Sequence, residues 1–369
     1  MSRPLDPTTP AADTGPPTVS VVLPVRNEGR HLQACLERLI DQDYPRDRVE
    51  IIVVDGRSDD ATHDVLERVM SRHPNVRLRV LDNPDRIVPT ALNIGIRAAV
   101  GEVIVRMDGH SIPERTHLTA CVRALRSSGA ANVGGGMRAE GTTPFGRAVA
   151  LVMRHRLSAG DARYRTGGRA GDVDTVPFGA FRRDVFDRVG LFDESMVRNQ
   201  DYEFNARLRA AGERVYFDPS INFVYAPRET PGGLWRQFFQ YGWWRVETIR
   251  RHPSSVRWRQ LVPPIFVGTF TTALLLAPWF LTASWALVAI TAAYLGTVAT
   301  VSLAIARSDG TATPLNIALG FAIIHLAFGT GFLTNLLTGG RLPYRSGPPA
   351  VPRNVTSPTR ADRVAQGHR

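Results

Sequence analysis

At 369 residues, with 43% hydrophobic and 21% charged side chains, the chain is longer than one typical domain and can bury a sizeable core, which excludes wholesale disorder. Two cysteines, Cys35 and Cys121, exclude a disulfide scaffold and a cysteine-rich zinc module, and fit a reducing compartment. The formal charge of +11 rests on 45 Arg and no Lys, and its placement argues for a membrane surface rather than a nucleic acid. Residues 1–234 are nearly balanced, with 32 Arg against 31 acidic side chains, while 235–260 and 339–369 each carry six Arg against one acid. Both basic stretches flank apolar segments, where an Arg near anionic lipid contributes roughly 1 kcal/mol.

Residues 1–18 are rich in Pro, Thr and Asp, contain no apolar run, and are expected to form a disordered leader rather than a signal peptide. From residue 19 to 128 two periods alternate. Val19–Val25 reads as a strand, Gly29–Ile40 as a helix, Val49–Asp55 as a second strand and Asp59–Met70 as a helix. Val76–Leu81, Pro89–Ala99 and Val103–Met107 continue the series as strand, helix and strand. This alternation predicts an α/β, Rossmann-like fold with a mainly parallel sheet covered by helices on both faces. Ligands of such sheets gather at the carboxyl ends of the strands. There the sequence places Arg26-Asn27-Glu28, Asp55-Gly56-Arg57-Ser58 and Asp108-Gly109-His110.

Asp55, directly after Ile51-Ile52-Val53-Val54, can accept hydrogen bonds from a base or a ribose, or serve as a turn or helix N-cap residue. Asp108 and His110 sit one Gly apart past an apolar strand and can aim at one point. The carboxylate suits Mg²⁺ or Mn²⁺, and the imidazole tilts the preference toward Mn²⁺. Asp201 and Glu203 stand near the start of a helix that ends at Gly212, where they complement the helix dipole. The functional alternative makes Asp201 a general base. Arg97, Arg106 and Arg138 read as solvated surface residues and receive no role.

The segment 233–259 interleaves aromatic residues such as Trp235, Phe239 and Trp244 with Arg236, Arg245, Arg250 and Arg251, a pattern suited to a helix lying among lipid headgroups. A core helix with a linker is the alternative. Residues 260–306 contain no charged side chain. A span needs about 20 apolar residues, so two are expected, near 261–281 and 285–306, with a hairpin at Pro278–Ser284. A second uncharged run, Gly310–Gly340, supplies a third near 315–337, kinked or re-entrant at Phe328-Gly329-Thr330-Gly331. The alternative, core helices of a soluble protein, fits less well, because all six Trp lie between Trp235 and Trp285, as in an interfacial belt. Arg257 and Arg259 before the first span put the N-terminal domain in the cytoplasm by the positive-inside rule. Arg307 agrees after two crossings, whereas a third would carry the basic tail, 339–369 and expected to be disordered, to the other side.

Taken together, Val19–Leu66, Ala91–Ser111 and Val176–Gly212 resemble the inverting family-2 glycosyltransferases, which use a nucleotide-diphosphate sugar on a GT-A fold. The carrying segments are Ser20-Val21-Val22-Leu23-Pro24-Val25-Arg26-Asn27-Glu28, Val53-Val54-Asp55-Gly56-Arg57-Ser58-Asp59-Asp60 and Ala91-Leu92-Asn93-Ile94-Gly95 with Gly101-Glu102. Arg106-Met107-Asp108-Gly109-His110, Gly190-Leu191-Phe192-Asp193-Glu194 and Arg198-Asn199-Gln200-Asp201-Tyr202-Glu203 are similar, more specifically, to the succinoglycan-type exopolysaccharide glycosyltransferases. The likeness spans roughly residues 19–250, and the ordered series is more specific than any one motif.

The resemblance implies a GT-A domain over 19–232. Pro24, Arg26, Asn27, Glu28, Asp55, Ser58 and Asp108 would surround the nucleotide sugar, and Asp108 with His110 would hold a divalent cation, Mn²⁺ or Mg²⁺. Asp201 would take the proton of the acceptor hydroxyl. Two departures stand out: His110 replaces the second Asp of an Asp-x-Asp motif, and Gln200-Asp201 replaces a Glu-Asp pair. Gln240-Tyr241-Gly242-Trp243-Trp244 lacks the Arg of the processive synthases' Gln-x-x-Arg-Trp, which implies addition of one sugar at a time. The implied protein is a metal-dependent glycosyltransferase, multi-pass in the cytoplasmic membrane, with its catalytic domain facing the cytoplasm. Its donor would carry UDP, and its acceptor would be a polyprenyl-diphosphate-linked or growing glycan of an exopolysaccharide or cell-envelope polysaccharide. Two rivals are a catalytically inactive scaffold or glycan sensor, and a sugar-phosphate nucleotidyltransferase. The second would want a Gly-rich pyrophosphate loop where Arg26-Asn27-Glu28-Gly29 stands.

Overall fold

The structure, a computed structural model, describes residues 15–340. The leader expected over 1–18 and the tail expected over 339–369 thus lie outside the described residues except at 15–18 and 339–340. Thr18 is already held, its N–H donating to Glu102 Oε1 at 3.0 Å.

Nine strands form one sheet: β1 (Val19–Val25), β2 (Val49–Asp55), β3 (Leu78–Asp82), β4 (Val103–Arg106), β5 (Ser111–Pro113), β6 (Asn132–Ala139), β7 (Gly171–Asp172), β8 (Ala180–Arg182) and β9 (Val215–Tyr225). Their order is β3-β2-β1-β4-β8-β6-β9-β5, with β7 added to β9. The first four are parallel, and β1, β2 and β4 carry the Val/Ile-rich sequences expected of strands covered on both faces, whereas β3 is half-exposed. All seven residues of β1 are buried. β3 begins two residues later than expected and lies at the sheet margin, because the Val76 N–H closes a turn onto the His73 carbonyl.

The second half of the sheet is mixed. β8 runs antiparallel to β4 and β6, and β9 is parallel to β6. These strands have weak sequence signals: β6 reads Asn-Val-Gly-Gly-Gly-Met-Arg-Ala. Its register with β9 shifts between Gly134 and Gly136. A Cβ at Gly135 would overlap the Ile221 carbonyl, so glycine allows the bulge that bends the sheet here.

Three C-terminal helices, Trp258–Leu276, Leu281–Asp309 and Pro314–Thr338, are long and apolar enough to cross a membrane. They differ in exposure: 17% and 11% of the most apolar stretch is buried in the first two, against 56% in the third. The first two form an outward hairpin. The third is not interrupted at Phe328–Gly331, contrary to the expected kink or re-entrant turn, and runs as one helix from the Thr313 cap to the left-handed Gly339. Its glycines serve close packing instead. A Cβ at Gly331 would overlap the Phe239 carbonyl, and one at Gly242 the Phe328 carbonyl, so this helix and Pro231–Arg251 meet backbone to backbone. That partner helix turns Leu234, Phe238, Trp243 and Val246 inward and leaves Trp235 and Arg236 exposed.

Gly331→Val is therefore expected to cost about 1–3 kcal/mol by overpacking, read as a lowered unfolding temperature of the detergent-solubilised protein. Gly296→Val, at a site with no atom within 4 Å of the added Cβ, is the matched control and is expected to change stability little.

Candidate active site

Three loops meet at the carboxyl edge of β1, β2 and β4. The turns after β1 and β2 are zipped together: Asn27 N–H donates to Ser58 Oγ at 2.9 Å, and the Asn27 amide exchanges hydrogen bonds with Asp59 at 2.7 and 3.0 Å. Glu28 N–H donates to Thr62 Oγ1 at 2.9 Å. Asn27 and Arg57 take φ values of +57° and +56°, the left-handed conformation that lets both turns fold back.

Asp55 is almost fully buried at the end of β2. Its carboxylate accepts from the Ser58 hydroxyl at 2.6 Å and from the Ser58 N–H, and His63 Nε2 lies 3.2 Å away. Asp55 thus shapes its own turn, the second role weighed for it. Pro24 is buried within β1 opposite Val54, and Arg26 is exposed, with Nη1 3.4 Å from the Arg86 carbonyl.

The centre of the site is a residue to which the sequence alone assigns no role. Arg106, expected on a solvated surface, is only 4% exposed, at the last position of β4. Its guanidinium donates to Asp108 Oδ1 at 3.0 Å and to Asp201 Oδ2, and lies 5.1 Å over the Phe178 ring. The signal was present: a cation between Val105 and Met107, both fully buried, cannot stay unpaired inside a sheet covered on both faces. Burial works against its charge, but the two carboxylates hold its pKa above the ordinary Arg value. Arg97 and Arg138, grouped with it in sequence, are indeed exposed.

Asp201 lies in the first turn of the helix Gln200–Ala210, whose start is set by Asn199 at φ +61°. The Asn199 amide donates to the Tyr241 carbonyl at 3.2 Å, which ties this turn to the Pro231–Arg251 helix. Burial pushes the Asp201 carboxyl above its ordinary 3.8, with Asp108 reinforcing the shift and Arg106 opposing it. A quarter of its side chain remains open to the cavity. Glu203, by contrast, is buried and faces Arg207 at 2.7 Å and His252 at 3.0 Å, a structural ion cluster.

His110 Nδ1 is 2.8 Å from Glu28 Oε1, and its ring packs edge-on against Tyr225. Burial opposes its charge, but Glu28 and Asp108 together keep its pKa above the ordinary value. Among the described residues no group of three or more His, Cys, Asp or Glu side chains gathers to hold a metal. Asp108 and His110 nevertheless suit a hard divalent ion, which commonly takes one or two protein ligands and completes its shell with water and substrate phosphate. Their hydrogen bonds engage Asp108 Oδ1 and His110 Nδ1, leaving Oδ2 and Nε2 as the available donor atoms.

Arg106, Asp108, His110 and Asp201 line one cavity of about 580 Å³. It continues past Tyr202, Tyr225 and Arg245 to Val262, Phe266, Tyr294 and Phe328 on the apolar helices. Asp55 stands on the same sheet edge, two strands from β4, but outside this cavity. The sequence-derived acids therefore divide: Asp108 and Asp201 converge through Arg106, while Asp55 marks the neighbouring shelf.

Comparison with known proteins finds the likeness that the motifs suggest. Residues 20–190 match the family described as glycosyl transferase family 2. The succinoglycan biosynthesis protein ExoA of Rhizobium meliloti (strain 1021) is 29% identical over 86% of this chain and 94% of its own. A Methanococcus voltae dolichyl N-acetyl-alpha-D-glucosaminyl phosphate 3-beta-D-2,3-diacetamido-2,3-dideoxy-beta-D-glucuronosyltransferase is 26% identical over 65% of this chain and 76% of its own. A mannosyltransferase from Pyrobaculum calidifontis, solved with GDP-Man and Mn²⁺, superposes with a TM-score of 0.58 at 22% identity, covering 87% of this chain and 88% of that one. Residues 20–190 thus match glycosyl transferase family 2, on a GT-A-like α/β core that is followed by three apolar C-terminal helices.

Proposed function

We propose that this protein is an inverting glycosyltransferase of the cytoplasmic membrane that moves a sugar from a nucleoside-diphosphate donor to a hydroxyl of a lipid-linked or growing glycan in polysaccharide synthesis. The observation that carries the reading is the Arg106–Asp108–Asp201 ion triad at the end of β4, opening into a cavity that reaches the apolar helices. The donor nucleotide lies on the shelf made by Arg26, Asn27, Glu28, Asp55 and Ser58, with its diphosphate toward Asp108. Asp201 accepts the proton of the acceptor hydroxyl as that oxygen attacks the anomeric carbon from the face opposite the nucleotide. Asp108 and His110 would hold a divalent cation, which supplies charge neutralisation for the departing diphosphate.

Two further observations support a membrane and a lipid-linked acceptor. Trp258 is exposed at one end of the outward hairpin, and Trp279 and Trp285 at the other. Nineteen residues of helix separate these belts, and at about 1.5 Å per residue they nearly match a hydrocarbon core of about 30 Å. The name of the Methanococcus voltae relative specifies a dolichyl-phosphate-linked sugar. The outward hairpin returns to the catalytic domain, where Asp309 pairs with Arg154 at 3.0 Å, consistent with both ends facing the cytoplasm.

The test is a panel of nucleotide sugars offered to the purified full chain with a polyprenyl-diphosphate-linked glycan, with products read by mass spectrometry. Addition of one sugar, lost with chelator and with Asp108→Ala, is the expected result. Neither transfer nor donor hydrolysis under any pairing would leave the inactive-scaffold reading. Asp55→Ala is expected to weaken nucleotide binding about tenfold in calorimetry, as a buried hydrogen-bonded carboxylate is lost.

A further inference from the structure

The cavity wall beyond Asp201 is strongly basic. Arg156, Arg165, Arg198, Arg228 and Arg245 line it, and none of the five forms an ion pair with a carboxylate among the described residues, the nearest to Arg245 being Asp174, which Arg259 already pairs. The other two arginines there are spoken for: Arg106 by Asp108 and Asp201, and Arg259 by Asp161 and Asp174. Arg245 is the most enclosed, 8% exposed, its guanidinium 3.5 Å over the Tyr202 ring, with Nε and Nη1 buried and bonded to nothing. Nε of Arg165 and Nε of Arg198 are also buried without a partner. Tyr202 is itself fixed by Asp174 and Gln260 at 2.9 Å each, so the platform under Arg245 is rigid. The cavity then changes character and ends among Val262, Phe266, Tyr294 and Phe328.

A wall of planar guanidinium forks beside an apolar slot matches an amphiphile with a multiply charged phosphate head and a hydrocarbon tail. We propose that Arg165, Arg198 and Arg245 clamp the diphosphate of an isoprenoid-diphosphate acceptor, whose chain leaves between Phe266, Tyr294 and Phe328. The proposal rests on the glycosyltransferase reading above and adds the head-group subsite to it. The donor's own diphosphate is the competing occupant, but the proposed function seats it at Asp108 and the β1–β2 shelf. With the acceptor's diphosphate held on the basic wall, the first sugars of its glycan extend toward Asp201.

The test uses the full chain in detergent and measures dissociation constants for geranylgeranyl diphosphate, geranylgeraniol, inorganic pyrophosphate, phosphatidylglycerol, and UDP and GDP with Mn²⁺. Geranylgeranyl diphosphate is expected to bind at least about tenfold more tightly than the alcohol, pyrophosphate or phosphatidylglycerol, since only it engages both halves of the cavity. Arg165→Gln, Arg198→Gln and Arg245→Gln are each expected to weaken it about tenfold and to leave UDP or GDP binding within about twofold. Should Arg245→Gln fail to fold, the other two variants, at part-exposed positions, carry the test. Equal binding of phosphatidylglycerol, unchanged geranylgeranyl diphosphate affinity in the variants, or an equal loss of nucleotide binding would each overturn the clamp. Nucleotide binding without isoprenoid binding sinks this inference alone. Isoprenoid binding by an enzyme that turns over no sugar nucleotide sinks the proposed function and leaves the lipid site standing.

Discussion

Asp201→Asn is expected to lower turnover by about 10²–10⁴-fold, the usual contribution of a general base, which corresponds to about 3–5 kcal/mol in the activation barrier. Asn keeps the shape of the side chain and an oxygen that can accept from Arg106, so the first turn of Gln200–Ala210 and its tie to Tyr241 stay in place. What disappears is the group proposed to take the proton. UDP or GDP affinity, which the proposed function assigns to the β1–β2 shelf, should stay within about twofold. Wild-type turnover in this variant would remove Asp201 from the mechanism. The wild-type pH profile adds a second check. Burial raises the Asp201 pKa above its ordinary 3.8. If Asp201 is the base it works ionised, so turnover is expected to be full above that raised value and to fall as pH drops through it, an acid limb that Asp201→Asn should abolish.

Arg106→Met is expected to be more damaging still. Met fills a similar volume but leaves Asp108 and Asp201 facing each other without a cation, and removing one partner of a buried ion cluster costs about 3–5 kcal/mol. The Asp108 and Asp201 side chains are 21% and 25% exposed, so the lower end of that range applies. With the opposing cation gone, the Asp201 pKa rises further and the acid limb moves to higher pH. Denaturant unfolding and the kcat pH profile read the two effects separately. A variant that keeps both the stability and the limb would show that the triad does not position the base.

These two residues mark how far the sequence could be read. β1, β2 and β4 were legible because both their faces are covered, which makes them short Val/Ile runs, and the polar turns after them pointed to the sheet edge where the candidate site lies. Asp201 was recognisable by likeness to a family motif. Arg106 was not, since its meaning depends on a helix 95 positions later that brings Asp201 against the end of β4. β6 and β9 escaped for another reason: Gly134–Gly136 and the Asp218-Pro219-Ser220 stretch break the alternation on which strand reading relies. The unpaired Arg165, Arg198 and Arg245 carry no local signature, and only their shared wall gives them one.

The Pro314–Thr338 helix has a consequence for how the protein can be handled. Ile317, Phe321 and Ala327 on it are fully enclosed, in the same core as strand residues of β1 and β6. At about 1.5–3 kcal/mol for each large apolar side chain, shearing that helix away would strip a substantial part of the head's own stability. It would also bare a contiguous greasy patch that invites aggregation. Shortening the gene to obtain a water-soluble catalytic fragment is thus expected to yield insoluble material, whereas the intact polypeptide in micelles or nanodiscs retains its fold.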